Sequence, residues 1–184
     1  LINKGSGKLN WRTLIYQIPR EPQKNRMAVW RRLKSIGALN VFQSIWILPE
    51  TEESKEEFKK LEEQINNSGG QSISCITLID EESKNKKLIE QFNKEREADY
   101  KELFEKCDDF EAEIERETKR ENFTYAEVEE NEHEIDKLNI WLKKIEKKDY
   151  FGCPMKDEVL MRIDKCSSLL TEFSNKVFEI GENQ

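Results

Sequence analysis

Histidine occurs once in this sequence, as His133, proline four times and glycine seven times. So few turn-forming residues among 184 argue against a fold of many short strands and favour long helices. No apolar run is long enough to cross a bilayer, and the polar, glycine-containing start, residues 1–10, is unlike a signal peptide. The expectation is a cytoplasmic protein with no membrane partner, its opening segment a loose arm outside the fold. The four cysteines, Cys75, Cys107, Cys153 and Cys166, are widely separated with no pair at metal-ligand spacing, so reduced, buried thiols are expected and not a zinc site. No spaced Asp/Asn run with a central glycine offers a calcium loop. His133 stands in the acidic stretch AEVEENEHE with no serine or cysteine to activate. The chain is therefore read as non-enzymatic, with no cofactor and no metal.

What the sequence has in quantity is charge, 38% of all residues, with a net of −7. The two signs are not evenly spread. Residues 1–49 hold nine Lys and Arg against one acid, Glu21, a net of +8, which leaves −15 for the remainder. An anion or nucleic acid is drawn to the first part and repelled by most of the rest. The acidic tracts over 52–57, 111–121 and 127–134 read as solvated helix faces with lysines between them.

Periodicity divides the chain in the same place. WRTLIYQIP, Trp11 to Pro19, alternates as a central strand, and Met27, Trp30, Leu33 and Ile36 recur at helical spacing until Gly37 ends the helix. ALNVFQSIWILP, residues 38–49, fits a hairpin hinging near Gln43 and Ser44 or a single bent strand, the hairpin being favoured. Thr51 is placed to cap a second helix with a Phe58, Leu61, Ile65 stripe, and Gln71 to Ile79 alternates again. The order βαββαβ predicts a ferredoxin-like domain over 11–80.

From residue 81 onward strands give way to three long helical patterns, over 81–184. The first runs from Ile89 to Ile114 at steps of three and four, unbroken to Glu121 before Arg120–Phe123 interrupts it. Thr124 and Glu127 form the capping box of the second, which is expected to bury Val128, Ile135, Leu138, Trp141, Leu142 and Ile145. Gly152 and Pro154 mark the turn into the third, with its Val159, Ile163, Cys166, Leu170, Phe173, Val177 and Ile180 seam. The fold class predicted is α+β: a ferredoxin-like domain followed by an antiparallel three-helix bundle.

QFNKEREADY, ERETKRENFTYAEVEE and WLKKIEKKDYFGCP, together with the pattern from Trp11 to Phe178, resemble the N-terminal domain of the chromate-resistance protein family ChrB. The first half, WRTLIYQIP, NRMAVWRRLKSIGA and SIWILPE, is also similar to the central domain of PaaX-type transcriptional repressors and to small ferredoxin-like CRISPR-associated nucleases. Those nucleases place a metal-binding aspartate near the end of the first strand, where this chain has Gln17, which argues against a residual nuclease. Nothing here corresponds to the second, C-terminal domain that ChrB proteins usually carry. The resemblance implies a regulatory or sensing module that binds a chromate-like oxyanion and contributes to transcriptional control.

Four residues are the candidates for the anion. Arg26 and Arg31 sit on the basic first helix, which otherwise reads as a solvated face. Arg96 interrupts an apolar stripe between Phe92 and Tyr100, so its guanidinium is expected to snorkel outward, to pair with a nearby carboxylate, or to meet a bound anion. The sharpest reading places Arg26, Arg96 and Tyr100 in one oxyanion pocket between the two domains. Expected partners are the oxyanion, DNA through the basic unit, and a second copy in a homodimer. The alternative is a protein–protein interaction module, presenting Trp141 and Phe173, without a small-molecule ligand.

Overall fold

The computed structural model describes residues 9–182. Residues 1–8 of the expected arm lie outside them, and Asn10 is the first residue of β1 (Asn10–Gln17). β1 is one of the two inner strands of a four-stranded sheet of order β2-β3-β1-β4, pairing antiparallel with β3 (Ile45–Pro49) and β4 (Gln71–Leu78). Trp11, Thr13 and Leu14 are buried, so both faces of the strand are covered at its start. The hairpin reading holds: β2 (Leu39–Phe42) pairs antiparallel with β3 across Gln43 and Ser44, with an irregularity between Asn40 and Phe42.

Helix α1 (Gln23–Ser35) follows β1, and α2 (Glu52–Asn67) follows the hairpin. Both stop in the same way. Gly37, at φ 71°, lets its N–H reach Lys34 O and the Ala38 N–H reach Leu33 O; Gly69, at φ 74°, does the same for Asn66 O, and Gly70 for Ile65 O. Gly70 has a second reason to be glycine, since a Cβ there would lie 2.5 Å from Gln17 O. Thr51 caps α2 as expected, its Oγ accepting from Ser54 N (3.0 Å) while Ser54 Oγ accepts from Thr51 N (2.9 Å).

The described residues divide into two compact units, one of residues 9–93 with 147–151 and one of 94–146 with 152–182. In the first, Leu14, Val29, Leu33, Phe58 and Leu61 form the centre of the core. Trp11 stacks on Phe92, from the first turns of α3 (Glu82–Lys119), at 5.6 Å between ring centroids. The Trp11 indole N–H donates to Asn85 Oδ1 (2.7 Å), and the Tyr150 hydroxyl donates to Ile36 O (2.7 Å). An ion pair between Arg32 and Glu57 joins α1 to α2.

In the second unit, the remainder of α3, α4 (Tyr125–Glu146) and α5 (Lys156–Glu182) share one apolar core, with Leu103 and Phe110, Leu138 and Leu142, and Ile163 and Phe173 as representatives of each helix. Ile180, the last residue of the expected α5 seam, is exposed. Arg162 of α5 pairs with Asp108 and Glu111 of α3, the latter at 2.9 Å. The break after α3 comes where Glu121 takes a φ of 56°, a left-handed position. Half of the expected capping box forms: Glu127 N donates to Thr124 Oγ (3.3 Å), but the Glu127 carboxylate accepts from Asn122 (3.0 Å) and Thr124 N turns to Asn122 O. Cys107, Cys153 and Cys166 are buried and Cys75 is half-buried, all four outside any disulfide. Among the described residues no helix is long and apolar enough to cross a membrane.

Candidate functional site

The first unit contains a cleft of about 580 Å³ between α1 and the ends of β1, β2 and β3. Period two along β1 puts Leu14 and Tyr16 on one face, and the register pairs Leu14 with Trp46 of β3 and Trp46 with Asn40 of β2. Tyr16, Trp46 and Asn40 therefore form a floor beneath α1. From the helix, Arg26, Trp30 and Lys34 descend along one side at steps of four, the spacing that aligns side chains over successive turns. Lys34 Nζ lies 5.6 Å from the Trp46 ring centroid, within reach of a cation–π contact.

The charge of this lining is one-sided. Arg26 and Lys34 contribute two cations, while Gln17, Gln23, Asn40, Gln43 and Ser44 contribute neutral polar groups, and no carboxylate lines the cleft. Arg26 has no ion pair among the described residues. Burial raises the Tyr16 phenol above its ordinary range, against smaller lowering effects of the Trp46 indole and the Arg26 charge. At neutral pH the hydroxyl is thus a proton donor. The buried Trp46 N–H interacts with Tyr16 but forms no hydrogen bond of ordinary geometry. Such an arrangement suits an anion and repels a cation.

Two clefts in the second unit have a different chemistry. One is lined by Asp109, Glu113, Glu117, Glu127, Glu130 and Glu134 with only Lys106 to offset them. The other mixes Arg162 and three lysines with Asp108, Glu111, Glu115 and Glu172, which already pair with one another in part. Among the described residues no three His, Cys, Asp or Glu side chains are placed to hold a metal ion.

The four candidates from the sequence fall in different places. Arg26 lines the cleft of the first unit. Arg31 does not line it; its Nε donates to Met27 O (3.2 Å) on the exposed side of α1. Arg96 and Tyr100 belong to the second unit, one turn apart on α3, and both are buried. The Arg96 side chain is 6% exposed and meets Glu95 at 3.4 Å and Asp99 at 3.5 Å, the carboxylate pairing that its place in the stripe allowed. Its Nε and Nη1 make no hydrogen bond. Of the two aromatics named for an interaction surface, Trp141 is half-buried but Phe173 is 3% exposed and belongs to the core, so it presents nothing to a partner.

Sequence reasoning missed Tyr16, Trp30, Lys34 and Trp46. The helical-spacing series of α1 groups Met27 and Trp30 with Leu33, yet Trp30 is 44% exposed and Met27 is 40% exposed; Val29 and Leu33 are the residues the helix buries. The available signal was the i, i+4, i+8 series Arg26, Trp30, Lys34, a cation–aromatic–cation line on one face.

A family model described as Protein ChrB, N-terminal, matches residues 26–184, and the chain belongs to that family. No curated protein and no solved structure matches it.

Proposed function

We propose that this member of the ChrB N-terminal family, which carries a chromate-resistance-related role, is a regulatory or sensing module whose first unit binds a chromate-like oxyanion in the Arg26 cleft. The observation that carries the reading is the lining itself: two cations, a protonated phenol and several amides, with no carboxylate. The module is a binding protein and not an enzyme, and it contributes to transcriptional control. The basic first unit is the part suited to face DNA, since the acidic second unit opposes a polyanion.

A ferredoxin-like reading of the first unit rests on its βαββαβ order and on strand order β2-β3-β1-β4. A three-helix-bundle reading of the second rests on the shared core of α3, α4 and α5. The proposal includes a homodimer. Its support is β4, an edge strand of eight residues without charge or proline, on which Ile73, Ile76 and Leu78 are exposed.

Calorimetric titration with chromate, sulfate and phosphate tests the anion site. Saturable binding of the parent protein is expected, weakened at least about tenfold in Arg26→Ala, as loss of a charge-assisted hydrogen bond implies. Arg31→Ala, a loss of the same charge off the cleft, is expected to change affinity by less than about threefold. Silence of the parent protein, or equal effects of the two variants, rejects the cleft as the receptor.

A further inference from the structure

The cleft has more volume and more aromatic wall than a bare oxyanion occupies. Its volume of about 580 Å³, in a cleft half open to solvent, is of the size that takes a small organic ligand, roughly 300–1,000 Å³. A four-oxygen anion displaces only a few water volumes of about 30 Å³ each. Arg26 and Lys34 account for an anionic group; they do not account for the rest of the wall.

That wall carries two indoles and a phenol, from Trp30, Trp46 and Tyr16. Trp30 is the informative one. An indole left 44% exposed on a helix that has Val29 and Leu33 to bury forgoes much of its apolar burial, and its neighbour Met27 does the same. A planar π-system laid against Trp30 would recover that burial and would also stand close to the Arg26 and Lys34 cations, four residues to either side. Gln17 and Gln43 add exposed amides at the cleft, groups that both donate and accept and so can read the edge of a heterocycle.

We propose that the Arg26 cleft is a receptor for a nucleoside phosphate, with the phosphate at Arg26 and Lys34 and the base stacked on Trp30. The inference rests on the reading of this cleft as an anion site and goes beyond it by naming the ligand class. Duplex DNA does not satisfy the same wall, because its bases are stacked on one another and expose edges but no faces. A free nucleotide, or one unstacked base of a single strand, presents both parts at once.

Binding of adenosine 5′-monophosphate, uridine 5′-monophosphate, inorganic phosphate, chromate, an oligothymidine and a duplex of the same length is measured by calorimetry, with tryptophan fluorescence recorded alongside. The nucleotides are expected to bind at least about tenfold tighter than inorganic phosphate, the stacking of one base being worth about that factor. Trp30→Ala, at an exposed position whose loss leaves the core intact, is expected to abolish the advantage of nucleotide over phosphate while phosphate affinity stays within about twofold. Arg26→Ala weakens both. An oligothymidine that outbinds the mononucleotides assigns the single strand as source, and equal affinities assign the free nucleotide; either supports the site. Nucleotides that bind no tighter than phosphate, or an advantage that survives Trp30→Ala, overturn the inference while phosphate and chromate binding keep the anion cleft. Absence of all anion binding overturns both.

Discussion

Arg96 shows how a single residue can be placed correctly by sequence and still be read two ways. Its stripe of aromatic neighbours leaves snorkelling, a carboxylate partner or a bound anion open; the side chain is buried beside carboxylates, but the guanidinium is only partly compensated: the contacts to Glu95 and Asp99 are long and both acids are about a third exposed, at 32% and 30%. Water solvates those carboxylates better than it solvates the arginine. The residue therefore contributes more through the packing of its stem than through its charge. Arg96→Met keeps the volume and removes the buried cation, and urea unfolding is expected to place it within about 1.5 kcal/mol of the parent. Arg96→Ala leaves a cavity and should cost about 2–4 kcal/mol. Equal losses in the two variants would show that the ion pairs, not the stem, hold this part of α3 in place.

Elements were legible where two signals agreed. β1, the hairpin and α2 combine the correct period with a turn or cap residue, and Gly37 and Gly69 fix the helix ends through backbone hydrogen bonds that their left-handed φ permits. The inward face of α1 was not legible, for a geometric reason. A series spaced strictly by three, Met27, Trp30, Leu33 and Ile36, falls about 60° short of a full turn at each step and so winds around the helix. Only the i, i+4 pair Val29 and Leu33 keeps to one side, and that pair is what α1 buries. The cleft was hidden for the same reason, since that series groups Trp30 with Leu33 and not with Arg26 and Lys34. The Thr51 cap was foreseen, whereas its reciprocal partner was not, because Ser54 stands where a Glu or Gln is the usual sign.

The contact between α1 and α2 has a pH dependence that can be worked out. Burial acts to raise the Glu57 carboxyl, but hydrogen bonds and charge from Lys60 and Arg32 outweigh it and hold the group below its ordinary range. A carboxyl with a lowered folded-state pKa binds fewer protons when folded than when unfolded. Its contribution is thus complete above the unfolded value of about 4.3 and is lost as pH falls through the folded one. The urea midpoint is expected to fall between about pH 5 and 3. Glu57→Gln should lower stability at neutral pH by less than about 1 kcal/mol and flatten that acid decline. An unchanged acid limb in Glu57→Gln would assign the decline to other carboxylates.

On the scale of the whole molecule, the two signs of charge are set apart along the chain: +8 over residues 1–49 against −15 beyond. A dianion approaching the protein meets a net charge of −7 at long range and the Arg26 and Lys34 cations of the cleft at short range. Salt separates these contributions by distance, because the screening length shortens from about 30 Å at 0.01 M to 3 Å at 1 M. Raising ionic strength first weakens the distant repulsion and only later the contacts inside the cleft, which is partly shielded from solvent ions. Chromate affinity is therefore expected to vary by less than about threefold between 20 and 100 mM salt and to fall by about tenfold toward 1 M. In Arg26→Ala the second phase should shrink while the first remains. A titration series across these concentrations checks it: a steep fall beginning at the lowest salt would mean that the guest is held by diffuse surface charge and not by the Arg26 cleft.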